Sequence, residues 1–152
     1  MIRIDVSTVV PIMSANSCRV TLERYSGVDD YGVMVNPMIV AGQAHGAMAQ
    51  GIGQALLERS SYDPQSGQMV AGTFMDYAMP RADDLPSFGL DFNPTRCTTN
   101  PLGVKGCGEA GAIAAFPAIA NAILDALAPL GVRQFEGPAS PWHVWQAIAD
   151  AK

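Results

Sequence analysis

Residues 98–127, TTNPLGVKGCGEAGAIAAFPAIANAILDAL, join a glycine-rich loop to a long run of small apolar residues. Asn100 and Pro101 near the start of this segment predict a turn. The apolar run predicts a buried helix from Glu109 or Ala110 to residue 127, which Pro117 is expected to kink or split. We expect the rest of the chain to be arranged around this loop and helix.

Glu109 lies where the glycine loop becomes the predicted helix. An acidic side chain at this position is stabilised by the free N–H groups and the dipole of the helix, so a capping role is one interpretation. The surrounding segment is built of glycine, alanine and isoleucine, and burial in it would disfavour the charged form of the carboxyl group. A carboxyl group poised in this way suits a general base, which is the second interpretation.

The same loop raises a third interpretation, because residues 106–111, GCGEAG, match the GxGxxG pattern of dinucleotide-binding domains. That pattern requires a buried strand immediately before it. Residues 96–105 are polar and are interrupted by Pro101, so the sequence disfavours a Rossmann-like nucleotide-binding domain. Contact between the N–H groups of the loop and some phosphate or other anion stays open.

The chain has 152 residues, of which 15% are charged, and its net charge is −5. This length predicts a single domain over residues 1–152. The low fraction of charged residues has two interpretations: the domain buries part of its surface against a partner, or the protein is simply compact and alanine-rich. The scattered basic residues predict no binding of nucleic acid. No stretch of eighteen apolar residues and no signal peptide are evident, so we predict no membrane span.

The cysteines and histidines indicate neither a disulfide scaffold nor a metal site. Cys18, Cys97 and Cys107 form no C-x-x-C pair, and an odd, unpatterned set of cysteines fits the reducing cytoplasm. His45 and His143 are far apart in the sequence, so a histidine-based metal site is not expected.

The remaining pattern predicts an α/β (α+β) fold, with a small mixed sheet, two main helices packed on it and a short C-terminal helix. Strands are expected at residues 2–6, 19–25 and 87–92, and a strand or an extended segment at residues 68–77, with the first two strands able to pair as a hairpin. A long helix is predicted over residues 38–59, with Asn36 as its cap and Pro37 at its first position, and a short one begins at Pro141 after Ser140. The long helix contains Gly42, Gly46, Gly51 and Gly53, which indicate that a backbone, a cofactor or a second chain comes close, or that the helix is broken.

Several blocks of the sequence occur together in one known family. They are Asn36-Pro37, GQAHGAMAQGIGQALLE at 42–58, GTFMDYAMPRADDLP at 72–86, TTNPLGVKGCGEAG at 98–111 and SPWHVWQAI at 140–148. Residues 19–148 resemble the C-terminal part of the molybdopterin-binding large subunit of the xanthine dehydrogenase, aldehyde oxidase and aerobic carbon monoxide dehydrogenase family. Residues 1–18 match this family poorly.

The resemblance implies a molybdopterin cofactor carrying molybdenum, in the cytosine dinucleotide form, with no protein ligand to the metal. It implies that Glu109 is the catalytic base of a hydroxylase and that Gln43 contacts the cofactor near the metal. Lys105, Gly106 and Gly108 match the loop that lies against the cofactor.

The family's large subunit is several times longer than this chain, so the resemblance implies partners: the remainder of the molybdenum-binding subunit, and iron–sulfur and FAD subunits. Because a cofactor held by one wall of its site loses buried contact, we expect the isolated chain to be inactive. The chain is then a component of an oxidoreductase, or a non-catalytic structural or interface fragment of such a complex. The sequence does not identify the substrate.

Overall fold

The fold is mixed α/β in a computed structural model of the chain, which describes residues 3–14 and 17–151. In chain order the elements are β1 (Arg3–Ser14), β2 (Ser17–Asp29), α1 (Pro37–Leu56), β3 (Phe88–Phe92), α2 (Ala110–Leu127) and α3 (Pro141–Asp150). Short 3-10 turns occupy Ala82–Asp84 and Ala128–Leu130. The predicted fold class, with two main helices and a short C-terminal helix, is confirmed.

The sheet has three strands in the order β1-β2-β3. β1 pairs antiparallel with β2, with Val9 opposite Leu22, and β2 pairs parallel with β3 from Tyr25 opposite Phe88 to Asp29 opposite Phe92. The sheet is therefore mixed, as predicted. A parallel pair needs a crossover connection, and α1 lies in the connection between β2 and β3.

The predicted hairpin of the first two strands is confirmed, but β1 is longer than expected. The prediction ended at residue 6 and interpreted residues 7–17 as weakly patterned, whereas β1 continues to Ser14 through Pro11. Because β1 lies at an edge of the sheet, a proline within it is tolerated. Ile2, where the predicted strand began, lies outside the described residues.

The interpretation of residues 68–77 as a strand is wrong. This segment makes one isolated bridge, between Tyr62 and Met69, and then turns at Thr73. The Thr73 hydroxyl donates to the Asp76 carboxylate at 2.7 Å, and the Tyr77 N–H donates to the Thr73 carbonyl at 2.9 Å. These local bonds satisfy the backbone in a turn instead of a ladder.

The core lies where α1 and α2 pack on each other and where their buried side chains meet those of β2. Its largest fully buried side chains are Tyr25, Met48, Ile52, Ile119, Ile123, Leu127 and Val144. The helices approach closely at Gly51, where an added Cβ atom would lie 2.7 Å from the Cβ atom of Ala115. Pro117 lies within α2 on its exposed side, and the helix continues past it to Leu127.

Residues Ala110–Leu130 are long and apolar enough to cross a membrane by length and composition alone. Asn121 and Asp125 interrupt this segment, so it is not the unbroken stretch of eighteen apolar residues that the sequence analysis looked for. Ala115, Ile119, Ile123 and Leu127 of this segment are buried in the core. A core helix of a water-soluble protein has the same composition, so this finding alone is weak evidence for a membrane protein.

Candidate functional site

The candidate site has two walls, and the first is the exposed face of α1 that carries Gln43. The helix begins as predicted, because the Asn36 side chain accepts a hydrogen bond of 3.1 Å from the Ile39 N–H and Pro37 occupies the first turn. It ends at Leu56, three residues before the predicted end. With 3.6 residues per turn, Ile39, Gln43, Gly46 and Gln50 share one face, and all are exposed.

The four glycines of α1 fall into two classes. A Cβ atom on Gly51 would collide with α2, and one on Gly53 would lie 2.8 Å from the Pro80 ring, so contacts within the chain require these two glycines. At Gly42 and Gly46 an added Cβ atom would meet nothing within 4 Å. These two glycines leave a bare backbone surface beside Gln43. The predicted alternative of a broken helix is wrong, because α1 is continuous over 20 residues.

The second wall is the glycine loop, which Asn100 shapes at its start. The Asn100 Oδ1 atom accepts hydrogen bonds from the N–H groups of Gly103, at 2.7 Å, and Val104, at 3.2 Å. Its Nδ2 atom donates to the Val104 carbonyl at 3.0 Å. Asparagine is favoured in turns because its side chain bonds to nearby backbone in this way, so the predicted turn has a clear cause.

Backbone hydrogen bonds join the loop to the segment after β2. The Val33 N–H donates to the Gly103 carbonyl at 2.9 Å, and the Lys105 N–H donates to the Tyr31 carbonyl at 3.1 Å. Gly32 lies between these bonds with a φ angle of +63°, and an added Cβ atom would lie 2.5 Å from the Gly103 carbonyl oxygen. Only glycine fits here, because both the backbone angle and the available space exclude a side chain.

The Lys105 ammonium group is held by the same segment and by the loop after β3. Its Nζ atom lies 2.6 Å from Asp30 Oδ2 and 2.7 Å from Thr95 Oγ1. Asp30 also accepts hydrogen bonds from the N–H groups of Thr95 and Gly32, each at 2.9 Å. The hydrogen bonds from Lys105, then from Thr95 and Gly32, hold the pKa of Asp30 well below its usual range.

Glu109 is the residue immediately before α2, and its carboxylate is exposed. Its side chain makes no capping hydrogen bond; instead its backbone carbonyl accepts from the N–H groups of Ala112 and Ile113. The capping interpretation is therefore wrong for the side chain. The expected burial among small apolar residues is also not provided by the described part of the chain. Added Cβ atoms on Gly106 and Gly108 would meet nothing within 4 Å, so this end of the loop faces open space.

The two walls meet where α2 begins. An added Cβ atom on Gly111 would lie 3.1 Å from the Ala44 carbonyl oxygen and 3.0 Å from the Ala47 Cβ atom, so α2 starts against α1 at this level. Gln43 is next to Ala44 in sequence, and Glu109 is two residues before Gly111. Both polar side chains therefore flank the same helix crossing, and both are exposed.

A small buried cluster supports the loop from behind, and the sequence analysis did not identify it. Tyr31, Val40 and Ala44 form this cluster, with Cys107 and Ala110 packed against it. The Tyr31 hydroxyl donates to the buried Asp29 carboxylate at 2.8 Å. Burial and this bond raise the pKa of Tyr31 above its ordinary value. The sequence feature that could have indicated this cluster is an aromatic residue, Tyr31, between two aspartates and a glycine.

The geometry bears on two other kinds of site, a Rossmann-like nucleotide site and a metal site held by side chains. Within residues 3–14 and 17–151, no strand directly precedes Gly106, since the preceding strand ends at Phe92, so the strand that a Rossmann site requires is missing there. Across that same part of the chain, no three His, Cys, Asp or Glu side chains converge on a possible metal position.

Comparison with known proteins identifies the class. Residues 13–86 match the family model described as a molybdopterin cofactor-binding domain. The chain is 41% identical over 128 residues to the nicotine 6-hydroxylase large subunit of Paenarthrobacter nicotinovorans, covering 84% of this chain and 16% of the relative. It is 32% identical over 129 residues to the carbon monoxide dehydrogenase large chain of Hydrogenophaga pseudoflava, covering 85% and 16%.

A solved structure shows the same fold. The chain superimposes on quinoline 2-oxidoreductase from Pseudomonas putida 86 with a TM-score of 0.82 and 38% identity, covering 91% of this chain and 17% of that one. The chain thus belongs to the molybdopterin-binding family and corresponds to one part of large subunits such as those of carbon monoxide dehydrogenase and xanthine dehydrogenase. It spans about one sixth of the length of the curated relatives described above, as their 16% coverage states.

Proposed function

We propose that this chain carries the catalytic base and part of the cofactor site of a molybdenum hydroxylase large subunit. Glu109 is the base, and Gln43, Lys105, Gly106 and Gly108 contact the cofactor, in its cytosine dinucleotide form. The observation that carries this proposal is that Glu109 and Gln43, both exposed, each lie within two residues of the contact between Gly111 and Ala44.

The residues present fit one side of such a cofactor. Gly42 and Gly46 on α1, and Gly106 and Gly108 on the loop, offer backbone with no side chain in the way. The Gln43 amide supplies both a donor and an acceptor for a ring edge of the pterin type. Lys105 contributes its backbone to this wall, since its ammonium group is bound to Asp30 and Thr95. When bound, the cofactor supplies the redox centre for oxidation of the substrate.

We propose that Glu109 accepts one proton from the oxygen nucleophile as that oxygen attacks the substrate carbon. A carboxylate can accept this proton. Its backbone is fixed by the α2 hydrogen bonds that its carbonyl accepts. Proton transfer to a positioned base contributes about 10²–10⁴-fold to a rate, which sets the expected size of the loss when the base is removed.

The site is open in this chain, so we propose that other polypeptide closes it. The partners are the remainder of the molybdenum-binding subunit and the iron–sulfur and FAD subunits, with no nucleic acid or membrane involved. Residues 1–152 act as a single domain within this assembly in the cytoplasm, and the isolated chain is inactive. A base exposed to water and a cofactor held on one side lack the closed environment that hydroxylation chemistry uses.

The test is the Glu109→Gln variant, produced together with the rest of the large subunit and its partner subunits. We expect turnover to fall by about 10²–10⁴-fold while molybdenum content and assembly stay unchanged. Asp125→Asn is the matched control, because Asp125 is an exposed carboxylate on the same helix and should tolerate the change. Full turnover by Glu109→Gln would contradict the proposal.

A second candidate function is a non-catalytic interface fragment. The observation that favours it is a set of large apolar side chains on the surface: Val35, Phe74, Met75, Trp142 and Trp145, with Met75 93% exposed. Such surface is expected to be covered by a partner. This candidate predicts a complex that assembles without molybdenum and whose properties do not depend on Glu109, so metal analysis of the purified complex distinguishes the two.

A further inference from the structure

We propose that Asp30, Thr95 and Lys105 form a clasp that positions the Glu109 carboxylate, and that Lys105 acts through this clasp instead of as a cation facing the cofactor. The inference rests on the proposed function of Glu109 as the base. Among the described residues the side chains of these three make their hydrogen bonds to one another and none to Glu109, so they are positioning residues; Lys105 meets the cofactor wall through its backbone.

The clasp is a closed network of three side chains. The Lys105 Nζ atom donates to both Asp30 Oδ2 and Thr95 Oγ1, at 2.6 and 2.7 Å, and the Thr95 hydroxyl donates to the same Asp30 oxygen. With the two backbone N–H groups of Thr95 and Gly32, the Asp30 carboxylate accepts from four donors. Charge-assisted bonds of this kind are roughly twice as strong as neutral ones.

The clasp joins three segments that are distant in sequence. Asp30 follows β2, Thr95 follows β3, and Lys105 lies within the glycine loop, 75 positions after Asp30. The Lys105 side chain is 33% exposed and that of Asp30 12%, so the pair is partly shielded from solvent. The Arg19–Asp84 pair, at 3.3 Å and with Arg19 66% exposed, is an ordinary surface ion pair by comparison.

Beyond Lys105 the loop has two further supports, Cys107 packed on the Tyr31 cluster and Gly111 packed against α1. Added Cβ atoms on Gly106 and Gly108 would meet nothing within 4 Å, so these two positions are not held by contacts within the chain. Glu109 therefore lies between the clasp and Cys107 on one side and the helix crossing on the other. Because a displacement of about 1 Å in a reacting group can cost about 10²-fold in rate, loss of support on either side should affect the base.

The geometry also argues against a free ammonium group at the cofactor. Two of the three N–H groups of Lys105 are used by Asp30 and Thr95. If Lys105 turned toward the open region, the Asp30 carboxylate would lose its cationic partner at a partly buried position. That change is unfavourable, because a shielded carboxylate needs its donors.

The first test is hydrogen exchange of the full chain, which does not depend on the cofactor. In Asp30→Asn and in Lys105→Gln we expect the hydrogen-bonded amides of Gly103, Val104 and Lys105 to exchange about tenfold faster or more, while those within α1 keep their protection. The double variant should exchange no faster than either single variant, because both remove the same interaction. Thr95→Val, which removes the bridging hydroxyl only, should give a smaller increase in the same segment.

Asp84→Asn is the matched control, because it removes a carboxylate from the surface pair with Arg19 and should leave these three amides unchanged. The proposal is overturned if Asp30→Asn and Lys105→Gln leave exchange of these three amides unaltered, or if the effects of the two changes add in the double variant.

The second test uses the assembled complex and separates positioning from cofactor binding. We expect Asp30→Asn and Lys105→Gln to lower kcat by about tenfold or more with KM and molybdenum content unchanged, since the base acts only in the transition state. Loss of molybdenum with either variant, or unchanged kcat when Glu109→Gln is inactive, overturns the proposal. An active Glu109→Gln variant instead contradicts the proposed function, and the exchange experiment then reports on the clasp alone.

Discussion

The Tyr31 hydroxyl donates a hydrogen bond of 2.8 Å to the Asp29 carboxylate, and both residues are buried behind the glycine loop. Tyr25, on the same strand as Asp29, is fully buried as well. Its hydroxyl has no hydrogen-bond partner among the residues that the structure describes. Two neighbouring tyrosines thus differ in one respect, which is whether their hydroxyl is satisfied.

This difference predicts opposite responses to removal of the hydroxyl. Tyr31→Phe should lower the free energy of unfolding by about 1–3 kcal/mol, because the buried Asp29 carboxylate loses its donor. Tyr25→Phe should leave stability unchanged or raise it, because it removes a buried polar group that gains no bond. Chemical denaturation of both variants checks this order, and a larger loss in Tyr25→Phe would contradict it.

Alkaline pH should destabilise the fold through Tyr25. Burial, with a smaller contribution from the Asp29 charge, raises the pKa of Tyr25 to about 12. In the unfolded chain tyrosine loses its proton near its ordinary value of about 10, so unfolding releases a proton between these two values. The stabilisation is complete below pH about 10 and is lost as the pH rises through about 12.

The measurement is the free energy of unfolding across this pH range. Tyr25→Phe should flatten the decline, whereas Tyr62→Phe, at an exposed position, should follow the parent protein. An identical alkaline decline in the parent and in Tyr25→Phe would show that Tyr25 does not contribute.

The two classes of glycine in α1 predict opposite effects of alanine. Gly46→Ala should stabilise the chain by about 1 kcal/mol, because alanine favours helix and nothing lies within 4 Å of the added atom. Gly51→Ala should destabilise it by about 1–3 kcal/mol, because the added atom would lie 2.7 Å from the Ala115 Cβ atom. Thermal or chemical unfolding of the two variants is the test. Equal stability of Gly46→Ala and Gly51→Ala would mean that α1 and α2 move apart at Gly51 without a loss of stability.

The fourth prediction concerns Asn36, the N-cap residue of α1. Asn36→Ala should cost about 1 kcal/mol, because the Ile39 N–H loses its 3.1 Å acceptor. Asn36→Asp keeps a side-chain oxygen at that position and should retain most of the stability. If both variants unfold at the same denaturant concentration as the parent, the cap does not contribute.

Elements with local chemical signals were predictable. Asn36 and Pro37 marked the start of α1, and the glycine loop marked the start of α2 at Ala110. The alternation at residues 87–92 corresponds to β3. By contrast, residues 68–77 look like a strand in composition, but the Thr73–Asp76 hydrogen bond forms a turn there. The spacing of apolar residues in the sequence carries no information about such a side-chain hydrogen bond.

The candidate site divides in the same way. Gln43 and Glu109 lie on motifs that the sequence displays directly, but the burial expected for Glu109 is not provided by the described residues. The contribution of Asp30 was not predictable, since an aspartate in a turn-forming DDYG stretch gives no sign of a partner 75 residues away. The side-chain role of Lys105 was hidden for the same reason, because tertiary pairing and not local pattern determines it.

The parallel pairing of β2 with β3 has a consequence for the order of events on the ribosome. The β1–β2 hairpin and α1 are complete in the nascent chain before residues 88–92 are synthesised. Until then the backbone from Tyr25 to Asp29 presents an unpaired strand edge, which is a template for intermolecular association. During translation of the 57–87 connection this edge is therefore open to pairing with another chain.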